Sequence, residues 1–374
     1  MRITIDATTL LLPSAGVKNY IYYWLRALAV AAYARGDSIR AYPPLLMLNP
    51  AAPLNHQQAD GVLFPSWLLP LVRLSNRCGN PLLDWLLHGV DVFHCSQHTA
   101  RRPRRMKTTA TIFDFSCWTR PETHTPQNIA ATKRYAENIL KRCDRLIAIS
   151  AHARQDAFEV LGIPLDRIRV IYPGVATEFF EVTDHQAASV RTMYNLPQSY
   201  FLFVGCIEPR KNIRGLIAAY KTLPEAVQRE VPLVIAGPFG WESDAVRPLL
   251  ASQNVLYLGY VPEVRLPALF RGATALVYPS YYEGFGLPVA QAMAAGIPVI
   301  TSTSSSLPEV VGDAGLTVNP DSTADLAGAL QRVLTSTAVA RDLGCRGRAR
   351  AQAYRWEAAA IASLDFFHDV LQDN

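Results

Sequence analysis

The chain has little charge for its size. Only 18% of its 374 residues are charged, against 50% hydrophobic, a balance that permits a large core and excludes wholesale disorder. Lysine is scarcer still: six of the 36 basic residues, the rest being arginine, for a net charge of +5. That surplus suits an anionic small molecule or a membrane surface and is too weak to argue for nucleic acid. The six cysteines are scattered, with no CxxC pair and no His/Cys cluster, so free thiols are expected and neither a disulfide framework nor a zinc site. No apolar run reaches about 18 residues, so no membrane-spanning helix is expected. The opening MRITIDATTLLLPSAG is interrupted by Asp6 and lacks a signal-peptide pattern, which leads to an expected cytoplasmic location. The GxGxxG fingerprint is missing after the first strand, which weighs against a dinucleotide oxidoreductase.

What the chain does contain is alternation. ITIDAT reads as a buried strand. It is followed by a loop, Gly16 and a helical run ending at Gly36, the opening of a nucleotide-type α/β half. Gly16 lets the backbone approach a phosphate, or serves only the turn. VDVFHCS (90–96), TTATIFDF (108–115), DRLIAIS and RIRVIYPGV continue as strands with helices between them, so a parallel sheet with helices on both faces is expected. Asp114 falls near the carboxyl end of a strand, either as a catalytic or binding residue or as a cap. His94, His98 and His124 lack metal-ligand spacing and read as satisfied or exposed imidazoles.

Two stretches of the first half stand apart. Residues 62–90 are unusually apolar but are broken by Pro65, Pro70, Gly79 and Pro81; they form core helices or an apolar surface docking on lipid. Nearby, RRPRRMK (101–107) is a solvated loop or a contact for anionic head groups. Residues 176–198 carry no strand signal, and the linker to a second α/β half is expected there, within 179–198.

In the second half, YFLFVGC is a strand leading to IEPRKNIRG. Arg210 and Lys211 thus occupy a βα loop with Asn212 placed to cap the next helix. Two adjacent cations at a strand end suit a diphosphate, or form a solvated pair. The most informative stretch is YYEGFGLPVAQAMAAG (281–296), between the strands TALVYPS and IPVITST. Glu283 precedes Gly284, Phe285 and Gly286, and Leu287 and Pro288 then open a helix. A glycine-bordered helix N-terminus is a ready anion site, with Gln291 one turn inside. Two α/β halves of similar size suggest a ligand cleft between them.

Taken together, CDRLIAISAHARQDAFEVLGIPLDRIRVIYPGV (143–175), FLFVGCIEPRKNI (201–213), LVIAGPFGW (233–241), the run from 255 to 300 and SSLPEVVGDAGLTVNP (305–320) resemble retaining glycosyltransferases of family 4. The resemblance implies the GT-B fold, with two Rossmann-like α/β domains whose parallel sheets face an interdomain cleft. Residues 1–178 would bind the acceptor, with the C-terminal helix 356–374 returning to them, and 199–355 would bind the donor. It implies a nucleotide-sugar donor, a glycan or lipid-linked acceptor and no metal or other cofactor; the chain has no Asp-x-Asp triplet. Glu283 would lie against the transferred sugar, Gln291 at the ribose, and Arg210, Lys211 and the amides of Gly284, Phe285, Gly286 and Leu287 at the diphosphate. Gly16 would face the diphosphate from the other domain. Gly237 would belong to the donor site, and the backbone around Tyr260 and Val261 would meet the base.

Three positions depart from the family pattern. Gln291 stands where a second glutamate is usual, Phe113 where many members carry histidine before Asp114, and Cys206 where many carry arginine. The alternative reading is a sugar-nucleotide-binding protein without turnover. A phosphorylase is disfavoured, since no lysine is placed for a pyridoxal Schiff base.

Overall fold

Short runs such as FLFV, LVIA and ALVY are apolar at every position and buried at every position, the pattern of strands covered on both faces of a parallel sheet. The computed structural model describes residues 1–11, 16–43, 47–48, 62–63, 80–241 and 244–372, with side chains described outside 47–48, 62–63 and 80–82. It divides into two units: one of 1–119, 126–174 and 356–374, the other of 120–125 and 175–355. Most of the apolar stretch 62–90 and the loop before Gly16 lie outside the described residues.

The first unit contains β1 (Arg2–Asp6), β2 (Ser38–Tyr42), the short β3 (Met47–Leu48) and β4 (Val62–Leu63), then β5 (Val92–Cys95), β6 (Lys107–Ile112), β7 (Arg145–Ala148) and β8 (Ile168–Val170). Six of these form a sheet in the order β2-β1-β5-β6-β7-β8, while β3 and β4 pair separately and antiparallel. All pairs in the large sheet are parallel, with Ile3 beside both Ile39 and Val92. The helix Gly16–Arg35 packs against the chain's last helix, Trp356–Gln372. Trp24, fully buried between them, donates its indole N–H to Ser363 Oγ at 3.0 Å, so its one polar atom is satisfied. Where the chain leaves this unit, a Cβ on Gly174 would come 2.3 Å from the Trp356 amide, so only glycine fits that close approach.

The second unit contains β9 (Phe201–Val204), β10 (Leu233–Ala236), β11 (Val255–Gly259), β12 (Ala275–Tyr278), β13 (Val299–Ser302) and β14 (Leu316–Val318), in the order β11-β10-β9-β12-β13-β14. Counting within this sheet, the order is 3-2-1-4-5-6, which reverses between β9 and β12. Residues 179–198, expected as a linker, instead belong to this unit. They carry the end of the helix Thr177–Glu181 and the helix Asp184–Met193, which a Thr183/Gln186 capping box opens. The box was readable as T-x-x-Q, and Phe179, Phe180, Ala187 and Val190 bury the apolar side. Residues 120–125 also fold with this unit: Trp241 Nε1 donates to Thr123 O at 2.6 Å and His124 stacks on the Trp241 ring.

Among the described residues no helix is long and apolar enough to cross a membrane, and five cysteines (Cys95, Cys117, Cys143, Cys206, Cys345) are free thiols. Since Leu364 is fully buried in the first unit's helix pair, Leu364→Ala should lower stability by about 2–5 kcal/mol, seen as a lower urea midpoint by circular dichroism.

Candidate functional site

In the second sheet, β9 and β12 are neighbours although about 70 residues separate the loops that follow them. The helices after these strands leave on opposite sides at the point where strand order reverses, so the two loops open beside each other. That topology brings together the two sequence stretches that carry charge. The loop after β9 makes a single 3-10 turn, Pro209–Lys211, and Asn212 ends it in the left-handed region at φ 54°. Asn212 Oδ1 then accepts from Gly215 N at 3.1 Å, capping the helix Ile213–Lys221. This local structure aims Arg210 and Lys211 at the β12 loop.

Glu283 lies between them. Its Oε1 accepts from Lys211 Nζ at 2.6 Å and its Oε2 from Arg210 Nη1 at 2.8 Å. Lys211 Nζ also donates to Tyr278 OH at 2.6 Å. Arg210 donates to Tyr282 O at 2.6 Å and reaches Glu208 at 3.4 Å. The Glu283 backbone is held from the other side: its N–H donates to Ser305 Oγ at 2.8 Å, and Ser306 Oγ donates to its carbonyl at 2.9 Å. Both serines follow β13, which adjoins β12. Burial works to raise the Glu283 pKa, but Arg210 and Lys211 together outweigh it and hold the carboxyl at about 2. Burial, then Arg210, draws Lys211 below the usual lysine value against the pull of Glu283 and Glu208. The result is a buried carboxylate flanked by two cations, at the end of the sheet where ligands of open α/β folds bind.

The next residues turn into a helix. Gly286, at φ 91°, is the N-cap of Leu287–Ala294, with Pro288 in its first turn. A Cβ there would also meet Leu307 Cδ2 at 2.5 Å, a side-chain end that can shift, so it is the positive φ that calls for glycine. The Phe285 side chain is buried edge-on against Tyr354 at 5.3 Å, which leaves its backbone alone to face a ligand. Gln291 is 7% exposed, and among the described residues none hydrogen-bonds its side-chain amide, so both ends of that amide are available to a ligand.

The other positions expected to meet a donor fall at the carboxyl ends of strands farther along the sheet. Gly237, just after β10, has φ 142°, and a Cβ there would lie 1.9 Å from Gly205 O; its glycine serves the close approach of two strand ends. Tyr260 and Val261 follow β11, Val261 being buried. Cys206, after β9, is pushed up to about 12, chiefly by burial and then by Glu208, so it stays a neutral thiol and adds no charge. Gly16 and Asp114 belong to the first unit. Gly16 starts the helix Gly16–Arg35. Asp114 Oδ1 accepts from Ser116 N at 3.0 Å and Ser116 Oγ at 2.6 Å, a capping arrangement for the short helix Ser116–Thr119. Phe113 stands edge-on to Tyr20 at 5.2 Å. His94 sits between Thr109 and Thr111 hydroxyls, each at 2.9 Å, and burial pulls it down to about 3. It is a neutral core imidazole.

Sequence reasoning missed Glu208, Tyr278, Ser305 and Ser306 as partners of the charged cluster. It also missed Asp6, at the end of β1, whose buried carboxylate accepts from Thr8 N at 3.0 Å, Ser96 Oγ at 2.8 Å and Thr99 Oγ1 at 2.6 Å. Asp6 ties together the loops after β1 and β5, adjacent strands where the first sheet's order reverses. A strand-end acid was the available signal.

The Glu283 cluster has a pH signature. A carboxyl lowered from the usual 4.5 to about 2 contributes stability that is fully present above its unfolded pKa and is lost as pH falls from about 4.5 toward about 2. By pH 3 the loss should be about 2 kcal/mol. Urea unfolding at pH 7 and pH 3 should therefore show a larger acid destabilisation for the wild type than for Glu283→Gln.

Two family models match the chain: Glycosyltransferase Family 4 over residues 15–179 and Glycosyl transferases group 1 over 190–350. The O-antigen chain mannosyltransferase B of Escherichia coli is 32% identical over 290 residues, 76% of this chain and 74% of that protein. The serotype-specific mannosyltransferase WbdA of Escherichia coli is 33% identical over 243 residues, 63% of this chain and 30% of WbdA. Among solved structures, sucrose-phosphate synthase from Thermosynechococcus elongatus superposes with a TM-score of 0.75 at 22% identity, covering 100% of both chains. With those matches and that fold, the chain belongs to the family 4, group 1 glycosyltransferases, enzymes built on the GT-B fold.

Proposed function

We propose that this glycosyltransferase moves a hexose from a nucleotide-diphosphate sugar to a glycan or lipid-linked saccharide, with retention of anomeric configuration and without a metal. The observation that carries the reading is the pair of cations on Glu283: Lys211 at 2.6 Å and Arg210 at 2.8 Å. Breaking the bond from the sugar C1 to the phosphate oxygen builds negative charge on the diphosphate. Two preorganised cations and the amides that open the helix Leu287–Ala294 stabilise that charge where it develops. The acceptor hydroxyl bonds to C1 on the face the phosphate leaves, and its proton passes to the departing phosphate oxygen. Glu283, ionised and rigid, orients the sugar hydroxyls, and the Gln291 amide meets the ribose. The first unit holds the acceptor, with Asp114 and the Asp6 loops at its strand ends.

GDP-mannose is the favoured donor, because two relatives are mannosyltransferases by name. A thermal-shift panel of GDP, UDP and ADP tests this: stabilisation by GDP above the others is expected, and a response to UDP alone rejects it. Glu283→Gln should keep the fold and reduce transfer by at least about 100-fold. Arg210→Ala with Lys211→Ala should lower donor affinity and thermal stability together, since it strands a buried carboxylate without a partner. Gln291→Glu should bind donor equally or more tightly, because a carboxylate accepts from both ribose hydroxyls where an amide offers one acceptor. The second reading, a nucleotide-sugar binder without turnover, is favoured by Gln291 and Phe113; it requires donor binding with neither transfer nor donor hydrolysis across an acceptor screen.

We also propose that the enzyme works in the cytoplasm, peripherally on an anionic membrane face. Trp85 and Leu86, at the end of the helix Asn80–Leu86, are 72% and 48% exposed, while Leu83 and Leu87 are buried. Arg104 N donates to Asp84 Oδ1 at 3.0 Å, which anchors the basic run 101–107 beside that apolar surface. Trp85→Ser with Leu86→Ser should cut co-sedimentation with phosphatidylglycerol vesicles at low salt several-fold. Unchanged retention rejects the membrane role of this surface.

A further inference from the structure

The first unit's sheet reverses its order between β1 and β5, and a short turn stands at that point. Residues 96–99 follow β5 directly, and Thr99 N donates to Ser96 O at 3.0 Å, which closes a β-turn with Gln97 and His98 at its corners. Ser96 Oγ accepts from His98 N at 3.1 Å, and Thr99 Oγ1 accepts from Ser96 N at 3.1 Å. Both hydroxyls then donate to one oxygen, Asp6 Oδ2, at 2.8 and 2.6 Å. Asp6 Oδ1 takes the amide and the hydroxyl of Thr8, at 3.0 and 2.5 Å.

The side chains of that frame are committed inward. Asp6, Ser96 and Thr99 are buried, and a carboxylate holding four donors is fixed in place. Each hydroxyl gives its one proton to Asp6, so its lone pairs are left to hold the backbone of the turn. What the frame presents is His98. This residue is half-buried, at the carboxyl end of a strand beside the reversal, where open α/β sheets bind ligands. Among the described residues nothing hydrogen-bonds its Nδ1, and the Gln97 side chain reaches its Nε2 only at 3.5 Å, beyond the usual range. Burial holds the imidazole below its usual pKa of 6.5, against the pull of Asp6. The ring is therefore neutral at pH 7. It offers one donor and one acceptor, the same pair that a sugar hydroxyl offers in return.

We infer that His98 is an acceptor-binding residue that hydrogen-bonds a saccharide hydroxyl, and that Asp6 is its positioning residue, acting through the Ser96 and Thr99 hydroxyls. The inference rests on the reading that the first unit holds the acceptor.

Methyl α-D-mannopyranoside and methyl α-D-glucopyranoside are the probes. Diethyl pyrocarbonate labels neutral imidazoles, and mass spectrometry locates the label. In wild-type protein one of the two sugars should slow labelling of His98 several-fold, while exposed His185 in the second unit labels at an unchanged rate. Asp6→Asn keeps the size of the side chain but cannot accept from all four donors; it should remove that protection while circular dichroism stays that of the wild type. If Asp6→Asn does not fold, the wild-type map and the His98 variants still decide. In transfer from GDP-mannose or UDP-glucose to the protecting sugar, His98→Ala should raise the acceptor KM about tenfold, the effect of one lost hydrogen bond, and leave the donor KM unchanged. His98→Gln, which keeps a donor and an acceptor, should recover most of that affinity. A merely structural role would not split the two KM values. Protection of His98 without transfer from either donor upholds the inference and counts against the transferase reading. An acceptor KM unchanged in His98→Ala overturns the inference and leaves the transferase reading standing. His98 that does not label, or labels alike with and without both sugars, overturns it as well.

Discussion

A buried carboxylate between two cations organises the second unit. Glu283, Arg210 and Lys211 each lie almost out of water, where an unpaired charge would cost several kcal/mol. Their mutual contacts at 2.6–2.8 Å offset that cost only while the loops after β9, β12 and β13 keep their positions. The surrounding hydrogen bonds serve that end. Tyr278 and Glu208 share the cations, and Ser305 and Ser306 clamp the Glu283 backbone. A site assembled this way is rigid before any ligand arrives, the condition under which fixed charge acts most strongly on a developing anion.

Sheet order is the constraint beneath that interaction. In a 3-2-1-4-5-6 sheet the loops after the first and fourth strands are neighbours, and they open away from each other's helices. Nothing else would bring residues 210–211 to residue 283. The first unit follows the same logic. Its order also reverses, between β1 and β5, and Asp6 draws the loops there onto one carboxylate through Thr8, Ser96 and Thr99. Each unit therefore places a carboxylate at its switch point, with cations around one and hydroxyls around the other.

The different surroundings of those two acids explain which of them was legible. Glu283 announces itself because glycines and a proline-opened helix follow it in an unbroken stretch, and Arg210-Lys211 because two cations adjoin a strand end. Asp6 follows four residues of ordinary strand, and beyond the local Thr8 its partners are a common serine and threonine about 90 positions away. Residues 179–198 were misread for a related reason. Their helix is mostly polar, with its apolar side in a few residues, so composition suggested a linker while the capping box at Thr183 carried the local signal. Gly237 reads in sequence as a ligand glycine, but its backbone is demanded by Gly205 O, a contact between strands that spacing cannot reveal.

The alternation of strands and helices, the two α/β halves, the family motifs and the charged loop residues were determined by the sequence itself, because each depends on local periodicity, turn chemistry or contiguous motifs. Which of those residues meet and which are buried was decided only by tertiary structure. The physical reason is that parallel strands pair at long range. Register and strand order, which no local window contains, set Lys211 on Glu283 and the Phe285 ring on Tyr354.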